Sequence, residues 1–391
     1  MDKGDGAMRN WRGWGVLLLL VAGEATAEPV HIGTTFSAKQ CRYLGVNAKK
    51  TLKEILKTKF DLLRLSAYWD ELEPQEGAYD FSSLDWQVAE AASKQVPMVL
   101  SVGMKAPRWP EYFIPPWVLK RLRLRKGADV SQHAYLCQRT LQFMATVIRR
   151  YRDEEAIHYW QVENEPLDRT GPGYWWISPA FLKQEVELVR RLDTRGRPII
   201  ITTVTYPNPL LRKFMYLFMR HDTIDEAFRL GDILGVNVYP VVGHRWFLKK
   251  SYYWTTPQER TEYLASILKR PTRGNKPVWV TELQAEPWEP DALVYTGQEP
   301  PPTGDPAIAQ QGLEELRALK IDTVLLWGAE YWQFRKARYQ DPQWWGEVRR
   351  LVSQEQEAAQ ARQAAQSGEI LNRQTPRHTP PETSARLNRE F

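Results

Sequence analysis

Residues 60–87 read FDLLRLSAYWDELEPQEGAYDFSSLDWQ. Residues 60–66 form a short apolar run of the kind that becomes a buried strand, and residues 82–95 follow with the apolar spacing of a helix. The segment between them is rich in polar and aromatic side chains. The stretch therefore predicts one unit made of a strand, a loop and a helix.

The same unit recurs along the chain. Seven further strands are predicted at residues 31–37, 97–103, 157–163, 198–204, 233–239, 277–283 and 322–328, and further helices at 49–58, 131–151, 178–193, 210–230, 257–269, 306–320 and 343–352. Such alternation is typical of a parallel sheet covered by helices, and eight units predict a single closed (β/α)8 barrel, the TIM barrel fold. A doubly wound open sheet is the alternative, but residues 38–40 lack its Gly-rich first turn.

The two ends of the chain differ from this pattern. Residues 1–27 carry basic residues, a short apolar run and Ala25-Thr26-Ala27, which is typical of a secretory signal; an uncleaved membrane anchor is the alternative. We therefore expect an exported protein without a stable membrane span after the signal is removed, and a catalytic barrel over residues 28–352. Residues 353–391 are polar and then Pro-rich; their start could extend a helix, and the rest is expected to be disordered.

The composition excludes several classes of protein. The 391 residues are 43% apolar and 26% charged, which excludes wholesale disorder, and two cysteines, Cys41 and Cys137, cannot build a Cys-rich zinc site. The sequence leaves open whether these two pair, and it leaves the oligomeric state open. The net charge of +6 is spread along the chain without a nucleic-acid-binding motif, so no nucleic-acid partner is expected. No metal or nucleotide motif occurs, so we expect neither a metal nor another cofactor.

Two glutamates stand where such barrels carry their chemistry, at the C-terminal ends of strands. Glu165 follows the fourth predicted strand and Glu282 lies in the seventh, so the two come from opposite sides of the barrel and can converge over its centre. Glycoside hydrolysis requires two such carboxyl groups, one to protonate the leaving oxygen and one to attack or stabilise the anomeric carbon. The alternative is that each is an ordinary polar residue at a strand end.

Three further strand ends carry candidates. Arg64 can orient the seventh-strand carboxylate, the Tyr239 hydroxyl can reach it, and Trp327 is placed to pack against a sugar ring. Each also has a purely structural interpretation, as an ion pair, a core tyrosine or a core indole.

Together these motifs resemble those of the clan A glycoside hydrolases, the retaining (β/α)8 glycosidases that include families 5, 39 and 42. Residues 60–87 are similar to their pattern of Arg, Trp, Glu-Pro, Gly and Tyr-Asp-Phe; SVGMKAPRWP (101–110), WQVENEPL (160–167) and VWVTELQAEPW (278–288) resemble the ends of their third, fourth and seventh strands. The resemblance implies that Glu165 is the acid/base and Glu282 the nucleophile. It also implies that the residues binding substrate are Arg64, Trp69, Trp109, Asn164, Asn237, Tyr239 and Trp327, with Asn164 on the sugar 2-hydroxyl.

Two positions depart from the family pattern. Asn237 and the stretch 103–105 stand where many members carry a histidine, which bears on the identity of the sugar. Glu163 has the same strand parity as Glu165, and the resemblance and the turn at Pro166 favour Glu165 as the acid/base.

Long aromatic loops are predicted at the C-terminal face of the strands, at residues 109–117, 174–176, 246–254 and 284–305. Several aromatic platforms favour an oligo- or polysaccharide substrate. The sequence thus predicts an exported retaining glycoside hydrolase that cleaves the O-glycosidic bonds of a carbohydrate, with β-linked glycosides as the expected substrates. A catalytically silent carbohydrate-binding barrel is the alternative.

Overall fold

The computed structural model describes residues 29–219, 222–246, 249–290 and 294–374. The predicted signal, residues 1–27, and residues 375–391 of the predicted tail lie outside these ranges.

Eight parallel strands close into a barrel, as predicted, which excludes the open sheet. The strands, with an antiparallel hairpin of β7 and β8, are β1 (His31–Thr35), β2 (Leu62–Ser66), β3 (Met98–Val102), β4 (Ile157–Val162), β5 (Ile199–Val204), β6 (Ile233–Val238), β7 (Val241–Trp246), β8 (Lys249–Trp254), β9 (Val278–Gln284) and β10 (Thr323–Trp327). Within the barrel β6 pairs with β9, and β10 pairs with β1 to close it.

Thirteen helices lie within the described ranges. They are α1 (Ala38–Tyr43), α2 (Ala48–Lys57), α3 (Trp69–Leu72), α4 (Ser82–Ala92), α5 (Pro116–Leu119), α6 (Ala134–Tyr151), α7 (Pro179–Leu192), α8 (Pro209–Met219), α9 (Thr223–Leu230), α10 (Pro257–Leu268), α11 (Ile308–Leu319), α12 (Ala329–Tyr339) and α13 (Gln343–Gln374). The single helix predicted over 210–230 is two helices, because Asp222 caps α9 by accepting hydrogen bonds from the backbone of Ile224 and Asp225.

The barrel interior is filled by side chains in layers. An apolar cluster separate from the main core combines residues of β2, β3, β5, β6, β9 and β10, namely Leu62, Val99, Ile200, Ile233, Trp279 and Leu325. Side chains from six strands can meet only inside the barrel. Arg64 follows Leu62 by two residues and therefore shares its inward face, in the next layer toward the C-terminal ends of the strands.

The described residues of the segment predicted as an aromatic loop at 246–254 belong to the antiparallel strands β7 and β8. The hairpin is inserted between β6 and α10, and the Gly243 N–H donates to the carbonyl of Trp288 at 2.7 Å. A Cβ at Gly243 would overlap Pro290, so the close approach requires glycine. The hairpin is thereby fixed against the loop that follows β9.

The C-terminal helix α13 extends into the first part of the tail, where the sequence allowed a helical extension. It continues past residue 352 to Gln374. Glu355 is buried and accepts hydrogen bonds from the Val30 N–H at 2.7 Å and from Arg317 Nε at 2.9 Å, which fixes this part of the helix to the start of β1.

The sequence left open whether the two cysteines pair, and it predicted no stable membrane span in the barrel. Cys41 and Cys137 are free thiols, the first buried and the second half-buried. No helix in the described ranges has the length and apolar character needed to cross a membrane.

Candidate active site

A cavity of about 420 Å³ lies at the C-terminal ends of the barrel strands. Six of the nine residues predicted for the site line it: Trp109, Asn164, Glu165, Tyr239, Glu282 and Trp327. Arg64 and Asn237 lie directly behind this lining and bond to the two glutamates. The structure therefore brings eight of the nine predicted residues together.

Trp69 is the exception. Its side chain is fully buried in α3, where it stacks on Phe143 and its indole N–H donates to Glu73 Oε2 at 2.8 Å. This is the environment of a packed core indole, and Trp69 does not line the cavity. The substrate-binding role predicted for it does not fit this position.

Glu282 is held by two donors on opposite oxygens. Arg64 Nη2 donates to Oε1 at 2.8 Å, and the Tyr239 hydroxyl donates to Oε2 at 2.5 Å. Arg64 is itself fixed, because Thr35 accepts from its Nε and Gln161 from its Nη1. A carboxylate that faces a buried guanidinium and a hydroxyl donor is oriented and charge-compensated.

Glu165 has a contrasting environment. Burial raises its pKa well above the usual range for a carboxyl group, and the neighbouring charges of Glu111 and Glu282 raise it further, while Lys105 opposes them. The Lys105 ammonium donates to the carbonyl oxygen of Glu165 at 2.7 Å rather than to its carboxyl group. The structure therefore favours a protonated Glu165 beside Glu282.

Asn237 links the two glutamate-bearing strands. Its Nδ2 donates to Glu165 Oε1 at 2.7 Å, and its Oδ1 accepts from the hydroxyl of Thr281 at 2.8 Å. Asn237 thus occupies a position where the family pattern has histidine and holds the Glu165 carboxyl group as a neutral donor.

Glu163 points elsewhere despite its parity with Glu165. Its two carboxyl oxygens accept from the backbone N–H groups of Met104 and Lys105 at 2.8 and 2.6 Å, and the residue is buried outside the cavity lining. Strand β4 ends at Val162, and both Glu163 and Glu165 have left-handed backbone conformations, with φ of 60° and 47°. Strand parity therefore no longer applies, and the geometry agrees with Glu165 as the glutamate that reaches the cavity.

A charged cluster that the sequence analysis missed forms one wall of the cavity. Arg108 donates to Glu286 Oε1 at 2.8 Å and to Glu330, and its guanidinium lies 3.9 Å from the ring centroid of Trp327. Arg108 and Glu286 line the cavity, and Glu330 lies behind them. The signal in the sequence was a charge in each of two Pro- and Trp-rich segments, at 106–110 and 285–288.

The cavity walls carry exposed aromatic side chains. Trp109 and Trp288 are 44% and 39% exposed, and Trp288 packs edge-on against Tyr239. In the described ranges no group of three or more His, Cys, Asp and Glu side chains is arranged to hold a metal ion.

Comparison with known proteins gives one matching family profile. The sequence profile of glycoside hydrolase family 42, described as β-galactosidase, matches residues 46–176, which include Glu165 but not Glu282. No curated protein matches the chain.

Solved structures share the fold at low sequence identity. A family 5, subfamily 18 glycoside hydrolase from Streptomyces cattleya, in complex with GlcNAc, is 15% identical with a TM-score of 0.53, over 77% of this chain and 71% of that chain. The β-galactosidase of Rahnella sp. R3 is 13% identical with a TM-score of 0.57, over 86% and 57%. The β-galactosidase of Marinomonas ef1 is 14% identical with a TM-score of 0.50, over 76% and 53%.

The chain spans little more than half the length of these two β-galactosidases. The family profile and the closed barrel confirm the resemblance to clan A glycoside hydrolases, and together they support a glycoside hydrolase without fixing its family.

Proposed function

We propose that this protein is an exported retaining β-glycosidase that cleaves oligo- or polysaccharides. The observation that carries the proposal is the pair of carboxyl groups in one cavity with opposite surroundings. Glu282 is bound by Arg64 and Tyr239, whereas burial and neighbouring carboxyl groups raise the pKa of Glu165. An anionic nucleophile and a protonated acid are the two states that the first step of retaining hydrolysis needs.

The residues then have distinct tasks. Glu282 attacks the anomeric carbon while Glu165 gives its proton to the leaving oxygen, so that a glycosyl-enzyme forms and the aglycone departs. The ionised Glu165 next takes a proton from water, whose oxygen attacks the anomeric carbon and releases Glu282. In this scheme Arg64 and Tyr239 fix the nucleophile, and Asn237 keeps the Glu165 carboxyl group in place.

Two features support a carbohydrate longer than one sugar. Trp327 lines the cavity beside Glu282, and Trp109 and Trp288 extend aromatic surface outward from it. Indole faces pack against the CH groups of pyranose rings. The structural neighbours include β-galactosidases and an enzyme that has been solved with Manβ1-4GlcNAc, so β-galactosides and β-mannosides belong in the first substrate panel.

The test is hydrolysis of aryl β-glycosides and natural oligosaccharides by residues 28–391, beside Glu282→Ala and Glu165→Ala. We expect turnover by the unmodified protein, none by Glu282→Ala, and turnover by Glu165→Ala only with activated aryl leaving groups. Azide should accelerate Glu165→Ala and yield a β-glycosyl azide, because two successive inversions retain configuration. Saturable glycan binding without any turnover would instead establish the silent carbohydrate-binding barrel.

Export rests on the signal-like pattern of residues 1–27 and has its own test. The full chain expressed in a bacterial host should be processed after Ala27, and N-terminal sequencing of the exported protein should then begin at Glu28. An intact N-terminus recovered in the membrane fraction would show a retained anchor.

A further inference from the structure

Glu286 holds a buried acceptor that faces the cavity and that no described group satisfies. The residue is 7% exposed and lies in the loop after β9, four residues beyond Glu282. Its Oε1 accepts from Arg108, and the indole N–H of Trp327 lies near the carboxyl group, yet no donor in the described ranges completes a hydrogen bond to Oε2. Buried carboxylate oxygens are rarely left in this state, because desolvation without a partner is costly.

The position of this carboxyl group is set before any ligand binds. Arg108 is held between Glu286 and Glu330 and lies against the face of Trp327. Glu330 is itself anchored by the backbone N–H of Ser37. One guanidinium therefore compensates two carboxyl groups, so the cluster formed by Arg108, Glu286 and Glu330 has a surplus of carboxyl groups over cations.

Trp327 connects Glu286 to the reacting centre. Its ring centroid lies 5.8 Å from the guanidinium carbon of Arg64, the residue that binds Glu282. Glu282, Trp327 and Glu286 line one cavity. A sugar held there with its anomeric carbon at Glu282 therefore places its other ring hydroxyls in the cavity that Glu286 also lines.

We propose that Glu286 is a substrate-binding residue whose Oε2 accepts a hydrogen bond from a hydroxyl group of the sugar bound beside Glu282, on a carbon away from the anomeric one. This inference rests on the proposed function for the place of bond cleavage. A carboxylate only accepts hydrogen bonds. The subsite therefore takes a neutral or amino sugar, and it disfavours a uronic acid, whose carboxylate would meet Glu286 and Glu330, two carboxyl groups that share the single guanidinium of Arg108.

The kinetic test compares the unmodified protein, Glu286→Gln and Glu330→Gln on the aryl β-hexoside that is turned over, its 3-, 4- and 6-deoxy analogues and the matching β-uronide. We expect one deoxy position to lower kcat/KM of the unmodified protein about 100-fold or more, since the buried acceptor is then unpaired. Glu286→Gln should lower kcat/KM on the parent hexoside by a similar factor. On that deoxy analogue, the same substitution should lower kcat/KM little further.

Glu330→Gln is the matched control, because it removes the other carboxylate from Arg108 without changing the cavity lining. It should lower activity on all the substrates by one common factor. The same uniform loss in Glu286→Gln, or a preference of the unmodified protein for the uronide, would overturn the inference. If Glu286→Gln fails to fold, Glu286→Asp serves in its place, with the same expected coupling to one hydroxyl.

Equilibrium binding separates this inference from the proposed function. Calorimetry with galactose, glucose, mannose, GlcNAc and glucuronate should show binding of a neutral sugar that Glu286→Gln weakens. Such binding in a protein without turnover would contradict the glycosidase and keep the subsite. Binding that Glu286→Gln leaves unchanged, or no binding of any neutral sugar, would overturn the subsite whatever the activity.

Discussion

Asn237 is a neutral side chain in direct contact with the carboxyl group of the proposed acid, Glu165. Its amide donates to Glu165 Oε1, and its orientation is fixed by the donor Thr281 on its other side. A donated hydrogen bond stabilises the ionised carboxyl group, so it lowers a pKa that burial has raised.

Replacing this amide should move the pH profile in one direction. In Asn237→Ala the pKa of Glu165 rises further, so the alkaline limb of kcat/KM shifts upward by roughly one pH unit. Thr281→Val keeps the amide and should shift the limb less. A pH series of kcat/KM on one aryl glycoside measures both. An alkaline limb that stays in place in Asn237→Ala would show that Glu165 does not control it.

The sequence predicted the site residues whose positions follow from the repeated strand–helix pattern. Arg64 and Glu282 lie within β2 and β9, and Tyr239 and Glu165 follow β6 and β4 by one and three residues, so the eightfold pattern brings all four to one end of the barrel. The cluster of Arg108, Glu286 and Glu330 was not predicted, because its contacts join residues 178 and 222 positions apart in the chain, which no local pattern encodes. The sequence could not show that Trp69 lies in the core, because an indole that follows a strand has the same local pattern whether it faces a cavity or the core.

Strands and helices with a clear apolar pattern in the sequence were predicted, whereas elements without one were not. The eight barrel strands were found within two residues of their bounds, because buried parallel strands are continuous apolar runs. The β7–β8 hairpin was missed, since its strands have no regular apolar alternation and its packing depends on the loop after β9. Four helices were not predicted, among them α1 and α12, which directly follow β1 and β10.

The contact between α7 and the end of β4 contains a carboxyl pair with a consequence for stability. Glu185 of α7 faces Glu163, and no donor in the described ranges reaches either carboxyl oxygen of Glu185. A proton held between the two groups lets one carboxyl group donate to the other. Burial raises the pKa of Glu163 to about 7, and it raises the pKa of Glu185 well above the ordinary value of 4.5.

This pair should make the fold less stable as the pH rises. Between pH 4.5 and about 7 the folded protein keeps a proton that the unfolded chain has released, so the free energy of unfolding falls through that window. Glu185→Gln supplies a permanent donor and should flatten the dependence of Tm on pH, leaving the slope due to other buried carboxyl groups. Glu187→Gln, exposed on the same helix, should follow the unmodified curve. Parallel curves for Glu185→Gln and the unmodified protein would contradict the shared proton.

For the molecule as a whole, stability and chemistry lie on opposite faces of the barrel. The cavity lies at the C-terminal ends of the strands, whereas α13 reaches the N-terminal side through Glu355, which binds Val30 just before β1, and through Gln356, which donates to the Lys59 carbonyl before β2. Arg317 of α11 binds the same Glu355. Helix α13 therefore connects the start of β1 to α11, next to the β1–β10 pair that closes the barrel.

Loss of this connection should therefore lower stability without changing the active site. In Glu355→Ala the Val30 N–H and Arg317 lose a buried acceptor, at a cost of about 2–4 kcal/mol in the free energy of unfolding. We expect Tm to fall by several degrees, while KM and the pH profile stay the same well below the transition. Glu357→Ala, on the exposed side of α13, should change neither. A change in KM or in the pH profile of Glu355→Ala would show that closure at the N-terminal side is transmitted to the cavity, so that the two faces do not act independently.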